Sequence, residues 1–98
     1  MKLKTPLVSV IIPVYKAHAT LARSLNSIKT QKFDNDKIEI IISVDDGKSY
    51  DEFKKLFQNI KIINPSGKIM TGAGQARNRG IKKARGKLIG FLDADDTW

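Results

Sequence analysis

The stretch of sequence that decides the fold is IEIIISV, from Ile38 to Val44, which stops at the acidic turn Asp45-Asp46-Gly47. Five of its seven residues are isoleucine or valine. Short runs rich in β-branched residues that end in a turn signal are typical of buried strands. Three similar runs lie on either side of it: LVSVII at 7–12, IKII at 60–63 and LIGFL at 88–92. The sequence therefore predicts four strands.

Each gap between the predicted strands contains residues at the spacing that favours one face of a helix. In the third gap, this spacing predicts a helix over 74–84 with Arg77 on its inward face. Strands that alternate with helices predict one α/β domain over residues 1–98, with a largely parallel sheet and helices on both faces. The helical positions are Leu21, Leu25 and Ile28; Tyr50, Phe53, Phe57 and Ile60; and Ala73, Arg77, Ile81 and Ala84.

The chemically unusual loops all follow predicted strands. They begin at Pro13, Asp45, Asn64 and Asp93. Because the carboxyl ends of parallel strands meet at one edge of a sheet, where ligands bind in such folds, these loops are expected to form one site. We also expect the two acidic loops, at Asp45 and Asp93, to lie side by side.

The composition indicates an ordinary globular protein with an excess of positive charge. The 98 residues carry a formal net charge of +8, which attracts nucleotides, nucleic acid or anionic lipid headgroups. The lysines are not interleaved with aromatic residues, as a platform for single strands requires, so we expect no nucleic-acid partner. There is no cysteine and no apolar run near the roughly 20 residues that span a bilayer, so we expect a cytoplasmic protein.

Three carboxylates, those of Asp93, Asp95 and Asp96, follow the last predicted strand within four residues. Such groups repel one another unless a cation joins them, and Mg²⁺ and Mn²⁺ prefer carboxylate and phosphate oxygens. In an extended chain, Asp93 and Asp95 point to the same side. The spacing indicates a divalent metal site at Asp93 and Asp95, and the alternative is a solvated acidic turn or a helix cap.

The other loops offer groups that could bind a nucleotide. Asp45 or Asp46 can accept hydrogen bonds from a base or a ribose, although Asp-Gly is also a turn signal and Asp45 can bond its own backbone. Tyr15, which closely follows Pro13, can pack on a base or cover the end of the sheet. Arg77 can hold a phosphate, or it can pair with a loop aspartate and still lie in the site.

The glycine-rich stretch at 71–80 does not match a dinucleotide-binding fingerprint. Arg77 stands where the third glycine would fall, and the stretch follows a loop instead of a strand. It does lead into the predicted helix that carries Arg77 and Arg79. Helix N-termini and guanidinium groups both favour anions, so this segment is a candidate for binding phosphate or base oxygens.

Four of these segments together resemble the family 2 glycosyltransferases, which have the GT-A fold with a Rossmann-like N-terminal half. They are VSVIIPVY at 8–15, DDG at 45–47, ARNRG at 76–80 and FLDADDTW at 91–98. Their order and spacing resemble the family over nearly the whole chain. The resemblance implies that residues 1–98 are the part of a glycosyltransferase, truncated at its C-terminus, that binds the nucleotide-sugar donor, and that the enzyme acts in bacterial polysaccharide biosynthesis.

The resemblance also implies roles for individual residues. Pro13 and Tyr15 would flank the nucleotide, and Asp46, with Asp45 beside it, would contact the base. Arg77 would contact the base or the diphosphate. Asp93 and Asp95 match the family's D-x-D signature, with Asp93 near the ribose and Asp95 on the Mn²⁺ or Mg²⁺ ion that bridges the diphosphate.

The resemblance further implies what lies around the site. The donor would be a UDP-sugar, and the acceptor a saccharide or a lipid-linked saccharide, which would place the protein in the cytoplasm at the inner face of the membrane as a peripheral protein. The general base is expected beyond Trp98, so the isolated chain should bind the donor without transferring sugar. The last strand would then be left as an exposed edge that invites self-association.

Two departures from the family's pattern lie beside the expected nucleotide site. Lys16 stands where asparagine is common, and Lys48 stands where serine is usual. Both add positive charge, so they leave the base preference open. Two other functions also stay open from the sequence: a nucleotidyltransferase, which should have a glycine-rich loop where this chain has Pro13 to Tyr15, and a non-catalytic domain that binds nucleotide or nucleic acid.

Overall fold

The backbone alternates strands and helices in the predicted order. The structure, a computed structural model, describes residues 5–31, 34–57, 59–65 and 67–98. No helix in these ranges is long and apolar enough to cross a membrane. The strands are β1 (Val8–Val14), β2 (Ile38–Val44), β3 (Ile60–Ile63) and β4 (Leu88–Phe91). The helices are α1 (Leu21–Lys29), α2 (Ala73–Lys83) and two short 3₁₀ helices (Asn35–Lys37 and Asp51–Leu56).

The four described strands form one parallel sheet in the order β3-β2-β1-β4. β1 and β2 pair over their full length, ending with Val14 opposite Val44. β4 pairs with the other side of β1, as far as Ile11 opposite Phe91. All carboxyl ends therefore lie at one edge, as predicted. However, β1 separates β2 from β4, so the two acidic loops flank the β1 loop, and the prediction that they lie side by side is wrong.

Both faces of the central strands are covered, which confirms the predicted α/β architecture. On one face, Val10 and Ile12 of β1 join a core that includes Leu21 and Leu25 of α1 and Phe53 of the second 3₁₀ helix. On the other face, α2 lies across β1 and β2. There the Ser43 hydroxyl donates a hydrogen bond to the Ala76 carbonyl oxygen at 2.6 Å.

The second predicted helix is only a 3₁₀ helix, Asp51–Leu56, and Ile60, which the sequence assigned both to this helix and to the strand over 60–63, belongs to the strand β3. Tyr50 and Phe53 are nonetheless buried, at 1% and 5% exposed. Their separation of three residues suits the three residues per turn of a 3₁₀ helix, so the same apolar pattern fits the tighter geometry.

The predicted inward face of α2 is also wrong. Its buried residues are Ala76 and Gly80, whereas Ile81 is 41% exposed and Arg77 points toward the rim of the site. The reason is close packing: a Cβ atom added to Gly80 would lie only 2.6 Å from Cγ2 of Ile11. Small side chains, and not the most apolar ones, therefore select the face that α2 turns to the sheet.

We predict that Gly80→Ala lowers the free energy of unfolding by about 1–3 kcal/mol, because the added methyl group overpacks the contact with Ile11. The matched control is Gly74→Ala, in the first turn of the same helix, where an added Cβ meets nothing within 4 Å. In the control, the helix propensity of alanine should raise stability by up to about 1 kcal/mol. Urea unfolding followed by circular dichroism measures the free energy of unfolding of both variants. An equal gain in this free energy for Gly80→Ala and Gly74→Ala would contradict the close packing of α2.

Candidate functional site

A cavity of about 650 Å³ opens at the carboxyl ends of β1, β2 and β4. It lies where the sequence placed a ligand site. Among the residues proposed from the sequence, the ones that line it are Pro13, Tyr15, Asp45, Asp93 and Asp95, while Asp46 and Arg77 lie outside its lining.

Asp45 is a buried carboxylate, 4% exposed, that holds the segment leading into α2. Its Oδ1 accepts hydrogen bonds from the Thr71 backbone N–H at 3.0 Å and the Thr71 hydroxyl at 2.8 Å. Its Oδ2 accepts one from the Gly72 N–H at 2.8 Å. Burial alone would raise the pKa of Asp45, but the hydrogen bonds from Thr71, Gly72 and Arg79 outweigh it and lower the pKa to about 2. Asp45 is thus a charged anchor at neutral pH.

Arg79 completes this anchor from inside α2. Its Nη2 donates to Asp45 Oδ1 at 3.0 Å and to the Val44 carbonyl oxygen at 3.2 Å. Its Nη1 donates to the Thr71 hydroxyl oxygen at 3.0 Å. The sequence suggested Arg79 as an anion-binding residue beside Arg77. In the structure, the Arg79 guanidinium instead binds the protein's own residues Thr71, Val44 and Asp45.

Asp46, 8% exposed, holds the turn that follows β1. Its Oδ2 accepts hydrogen bonds from the Lys16 backbone N–H at 2.6 Å and the Tyr50 hydroxyl at 2.7 Å. Its Oδ1 accepts one from the Lys48 N–H at 3.0 Å. Burial raises the pKa of Asp46, and the hydrogen bonds from Lys16, Lys48 and Tyr50 more than reverse that, so the pKa is lowered overall. Asp46 therefore supports the cavity wall from behind.

His18 and Tyr50 stack behind the same turn. Their ring centroids lie 4.0 Å apart with an interplanar angle of 14°. Tyr50 also accepts a hydrogen bond from the Ala17 N–H at 3.1 Å, so it ties the turn to the second 3₁₀ helix. Burial and the nearby Asp46 carboxylate raise the pKa of Tyr50 to about 12, which keeps this hydroxyl protonated as a donor.

Asp93 and Arg77 form an ion pair at the rim of the cavity. The distance from Arg77 Nη2 to Asp93 Oδ1 is 3.2 Å, and the two side chains are 37% and 55% exposed. This is the pairing with a loop aspartate that the sequence left as one alternative. Because the pair is open to solvent, either group can exchange its partner for a ligand at low cost.

The segment 93–96 is a turn and not an extended chain. The Asp96 N–H donates to the Asp93 carbonyl oxygen at 2.9 Å. Two residues of α1 hold the turn: the Ser24 hydroxyl donates to the Ala94 carbonyl oxygen at 2.8 Å, and Arg23 Nη2 donates to that of Asp95 at 3.0 Å. The turn brings both Asp93 and Asp95 to the cavity, although for a different reason from the predicted extended geometry.

These carboxylates match only part of a metal site. Across the described ranges, no three acidic, histidine or cysteine side chains stand close enough together to hold an ion. Mg²⁺ in particular is often bound by one or two carboxylates together with substrate phosphates. Asp93 and Asp95 fit that incomplete set, in which the ligand itself supplies the remaining oxygens.

Several of the described residues that line the cavity were given no role by sequence reasoning, and two of them, Lys16 and Met70, have an unusual backbone conformation. Both have a positive φ, +52° and +57°, which is uncommon for residues other than glycine. The Tyr15 hydroxyl lies 3.5 Å from the Met70 sulfur, so the two loops meet at the mouth of the cavity. The apolar patterns carry no signal for either backbone conformation, because both depend on hydrogen bonds to distant carboxylates and carbonyls.

The family model and the curated relatives that match this sequence are described as glycosyltransferases. The family model described as Glycosyl transferase family 2 matches residues 9–98. A glycosyltransferase of Escherichia coli, the UDP-Glc:alpha-D-GlcNAc-diphosphoundecaprenol beta-1,3-glucosyltransferase WfgD, is 38% identical over 93 residues, which cover 94% of this chain and 36% of WfgD. The chain spans between 13% and 37% of the length of these curated relatives.

Solved structures agree with the sequence comparison. S. aureus TarS 1-349 in complex with UDP-GlcNAc superposes with a TM-score of 0.80 at 26% identity, over 93% of this chain and 27% of TarS. The mannosyltransferase PcManGT from Pyrobaculum calidifontis, in complex with GDP-Man and Mn²⁺, superposes with a TM-score of 0.78 over 97% of this chain and 29% of PcManGT. At 21% identity, the second comparison shows a shared fold alone. The predicted GT-A type of fold is confirmed.

We predict that Asp45→Asn lowers the free energy of unfolding at pH 7 by about 2 kcal/mol, which is what a pKa shift from 3.8 to about 2 contributes. Because the folded pKa is the lower one, this stability is present above pH 4 and is lost as the pH falls toward 2. The free energies of unfolding of the wild type and the variant should therefore become nearly equal near pH 2. Asp51→Asn, whose side chain is 74% exposed, is the control. If the free energies of unfolding of the wild type and Asp45→Asn differ by the same amount down to pH 2, the charge of Asp45 does not stabilise the fold.

Proposed function

Because this chain belongs to glycosyl transferase family 2, we propose that it binds a nucleoside-diphosphate sugar in the cavity at the carboxyl ends of β1, β2 and β4, and presents it for transfer to an acceptor hydroxyl. The observation that carries this proposal is the cavity itself. It combines an aromatic side chain, Tyr15, with carboxylates from two strand ends. Support comes from TarS, which has the same fold and was determined with UDP-GlcNAc.

In this proposal the β1 and β2 loops receive the nucleoside. Pro13 and Tyr15 flank the base from one wall, with Tyr15 47% exposed and available for stacking. Asp45 faces the cavity, whereas Asp46 lies behind the Lys16 backbone. Asp45 is therefore better placed than Asp46 to meet the base or the ribose, and Asp46 acts by holding the wall.

The β4 loop receives the diphosphate. Asp93 and Asp95 would hold a Mn²⁺ or Mg²⁺ ion together with the phosphate oxygens, and Asp93 would also contact the ribose. A bound divalent ion neutralises negative charge that develops on the leaving nucleoside diphosphate. Arg77, 3.2 Å from Asp93, supplies a guanidinium that can turn to the diphosphate or the base.

The donor and acceptor classes are also part of the proposal. A UDP-sugar is supported by WfgD, whose name gives UDP-Glc, and by the UDP-GlcNAc complex of TarS. A saccharide or lipid-linked saccharide acceptor is supported by WfgD, whose name gives GlcNAc-diphosphoundecaprenol. Such an acceptor would place the protein in the cytoplasm as a peripheral protein at the membrane. No comparison favours a nucleotidyltransferase or a nucleic-acid-binding domain.

Self-association through β4 is a further part of the proposal. Leu88 and Phe91 are 60% and 46% exposed, and β4 is the last strand of the sheet on its side. Exposed apolar edge strands tend to pair with another chain.

The first prediction from this proposal concerns metal-dependent binding. Calorimetric titration of the chain with UDP should show binding that strengthens when Mn²⁺ is present. Asp95→Ala should weaken binding in Mn²⁺ by roughly tenfold or more, because one of two carboxylate ligands is lost.

The matched control is Asp51→Ala, an exposed carboxylate in the second 3₁₀ helix, away from the cavity. It should bind UDP as the wild type does. Equal heats from the wild type and Asp95→Ala in the presence of Mn²⁺ would rule out the assignment of the metal to Asp95.

The second prediction concerns transfer. The 98-residue chain with UDP-glucose, Mn²⁺ and a saccharide acceptor should release no UDP above the uncatalysed rate. A general base needs a pKa near the working pH, and the carboxylates of Asp45 and Asp46 have lowered pKa values and are engaged by internal hydrogen bonds. A coupled assay of UDP release measures the rate, and acceptor-dependent release would show that these residues suffice for transfer.

A further inference from the structure

We infer that Lys16 binds the phosphate groups of the nucleotide and acts as a fixed positive charge of the donor site. This inference rests on the proposed function and adds a residue to it. The sequence placed Lys16 beside the expected nucleotide site but assigned it no contact with the ligand. It lines the cavity together with Tyr15, Asp93 and Asp95.

The backbone at Lys16 is held in an unfavourable conformation. Its φ of +52° lies in the left-handed region, where a lysine is strained and a glycine is not. The buried Asp46 carboxylate stabilises this conformation by accepting the Lys16 N–H at 2.6 Å. Strained residues that surrounding structure holds in place concentrate at ligand-binding sites. The chain thus keeps a long cationic side chain at a position that would suit glycine better.

The Lys16 side chain has a cation–π contact but no fixed anionic partner. Its Nζ lies over the Tyr15 ring, 5.3 Å from the centroid. No ion pair of Lys16 with a carboxylate is formed within the described residues. The ammonium group therefore rests on the aromatic wall of the cavity, and a cation–π contact at an exposed site is weak enough to be exchanged for a phosphate.

The charge balance of the cavity favours this exchange. Three carboxylates line it, those of Asp45, Asp93 and Asp95, and Lys16 is the one cationic residue among its described lining residues. Asp45 is already neutralised by Arg79 at 3.0 Å. UDP that enters with one divalent ion still carries a net negative charge at neutral pH, and the carboxylates of Asp93 and Asp95 add to the negative charge of the site. Lys16, which lines the cavity from the loop after β1, can stabilise that charge.

The structure provides a matched control for Lys16. Lys48 is also exposed, and its backbone N–H is also held by the Asp46 carboxylate, at 3.0 Å. Lys48 does not line the cavity. The two lysines thus share the same anchor and the same charge, and they differ in whether the ammonium group can reach a ligand in the cavity.

The test is calorimetric titration of Lys16→Met and Lys48→Met with uridine, UMP and UDP, in the presence of Mn²⁺. Lys16→Met keeps the length of the side chain and removes its charge. It should bind uridine as the wild type does and lose affinity as phosphates are added, reaching about tenfold for UDP, the size expected for one charge-assisted contact. Lys48→Met should match the wild type with all three ligands, and Lys16→Arg should recover most of the affinity for UDP.

The outcomes separate this inference from the function on which it rests. If Lys16→Met binds UDP as tightly as the wild type, Lys16 does not bind phosphate. If Lys16→Met loses affinity for uridine and for UDP by the same factor, Lys16 acts on the base or on the shape of the loop, and the inference is also wrong. If the wild type binds none of the three ligands, the proposed function fails, and the assignment of Lys16 fails with it. Thermal unfolding of each variant confirms that the fold is intact.

Discussion

The cavity depends on two adjacent buried carboxylates at the end of β2. The side chains of Asp45 and Asp46, which follow β2, bind different segments: Asp45 contacts Gly72 and Arg79 on the α2 side, and Asp46 contacts Tyr50 on the side of the second 3₁₀ helix. Asp45 fixes the segment that leads into α2, and Asp46 fixes the turn between β1 and α1. Two like charges at neighbouring positions would normally be costly. Here each is surrounded by several donors of its own, which lowers the pKa of both.

The carboxylates after β4 have a different environment. Asp93 is half exposed, and its carboxylate pairs with Arg77, whose guanidinium is itself partly open to solvent. The backbone around Asp93 and Asp95 is held by α1, but their carboxylates are left to face the cavity. The site thus separates two tasks. The acids that follow β2 hold the walls through several internal hydrogen bonds, although Asp45 also faces the cavity, and the acids that follow β4 are more open to a ligand.

Much of this arrangement follows from the sequence. The short apolar runs located all four strands, and the alternation of strands with helices placed their loops at one edge, because both follow from short-range patterns. The inward face of α2 could not be found in this way, because it is selected by the fit of Gly80 against Ile11, which depends on a contact far away in sequence. The role of Arg79 was missed for a similar reason. An arginine near a glycine-rich stretch is typical of a site that binds an anionic ligand. Only the fold shows that the anion bound by Arg79 is the carboxylate of Asp45.

The contacts that hold the acidic turn at 93–96 could not be predicted from the sequence either. Spacing alone predicted that Asp93 and Asp95 share one side, and both do reach the cavity, but through a turn held by Ser24 and Arg23 of α1. Neither residue of α1 carries a recognisable signal, because the interaction uses side-chain donors and backbone carbonyl oxygens. The strained conformations of Lys16 and Met70 are likewise set by tertiary hydrogen bonds.

The left-handed residues at the mouth of the cavity have a consequence for the thermodynamics of association. Lys16 and Met70 are each tied by a backbone hydrogen bond to one of the two residues that end β2. The two walls are therefore ordered before any ligand arrives, and little backbone entropy remains to be lost when one enters. A ligand that binds at this end of the sheet would meet backbone segments that are already in place, so less of the free energy of the contacts would be lost in ordering a loop.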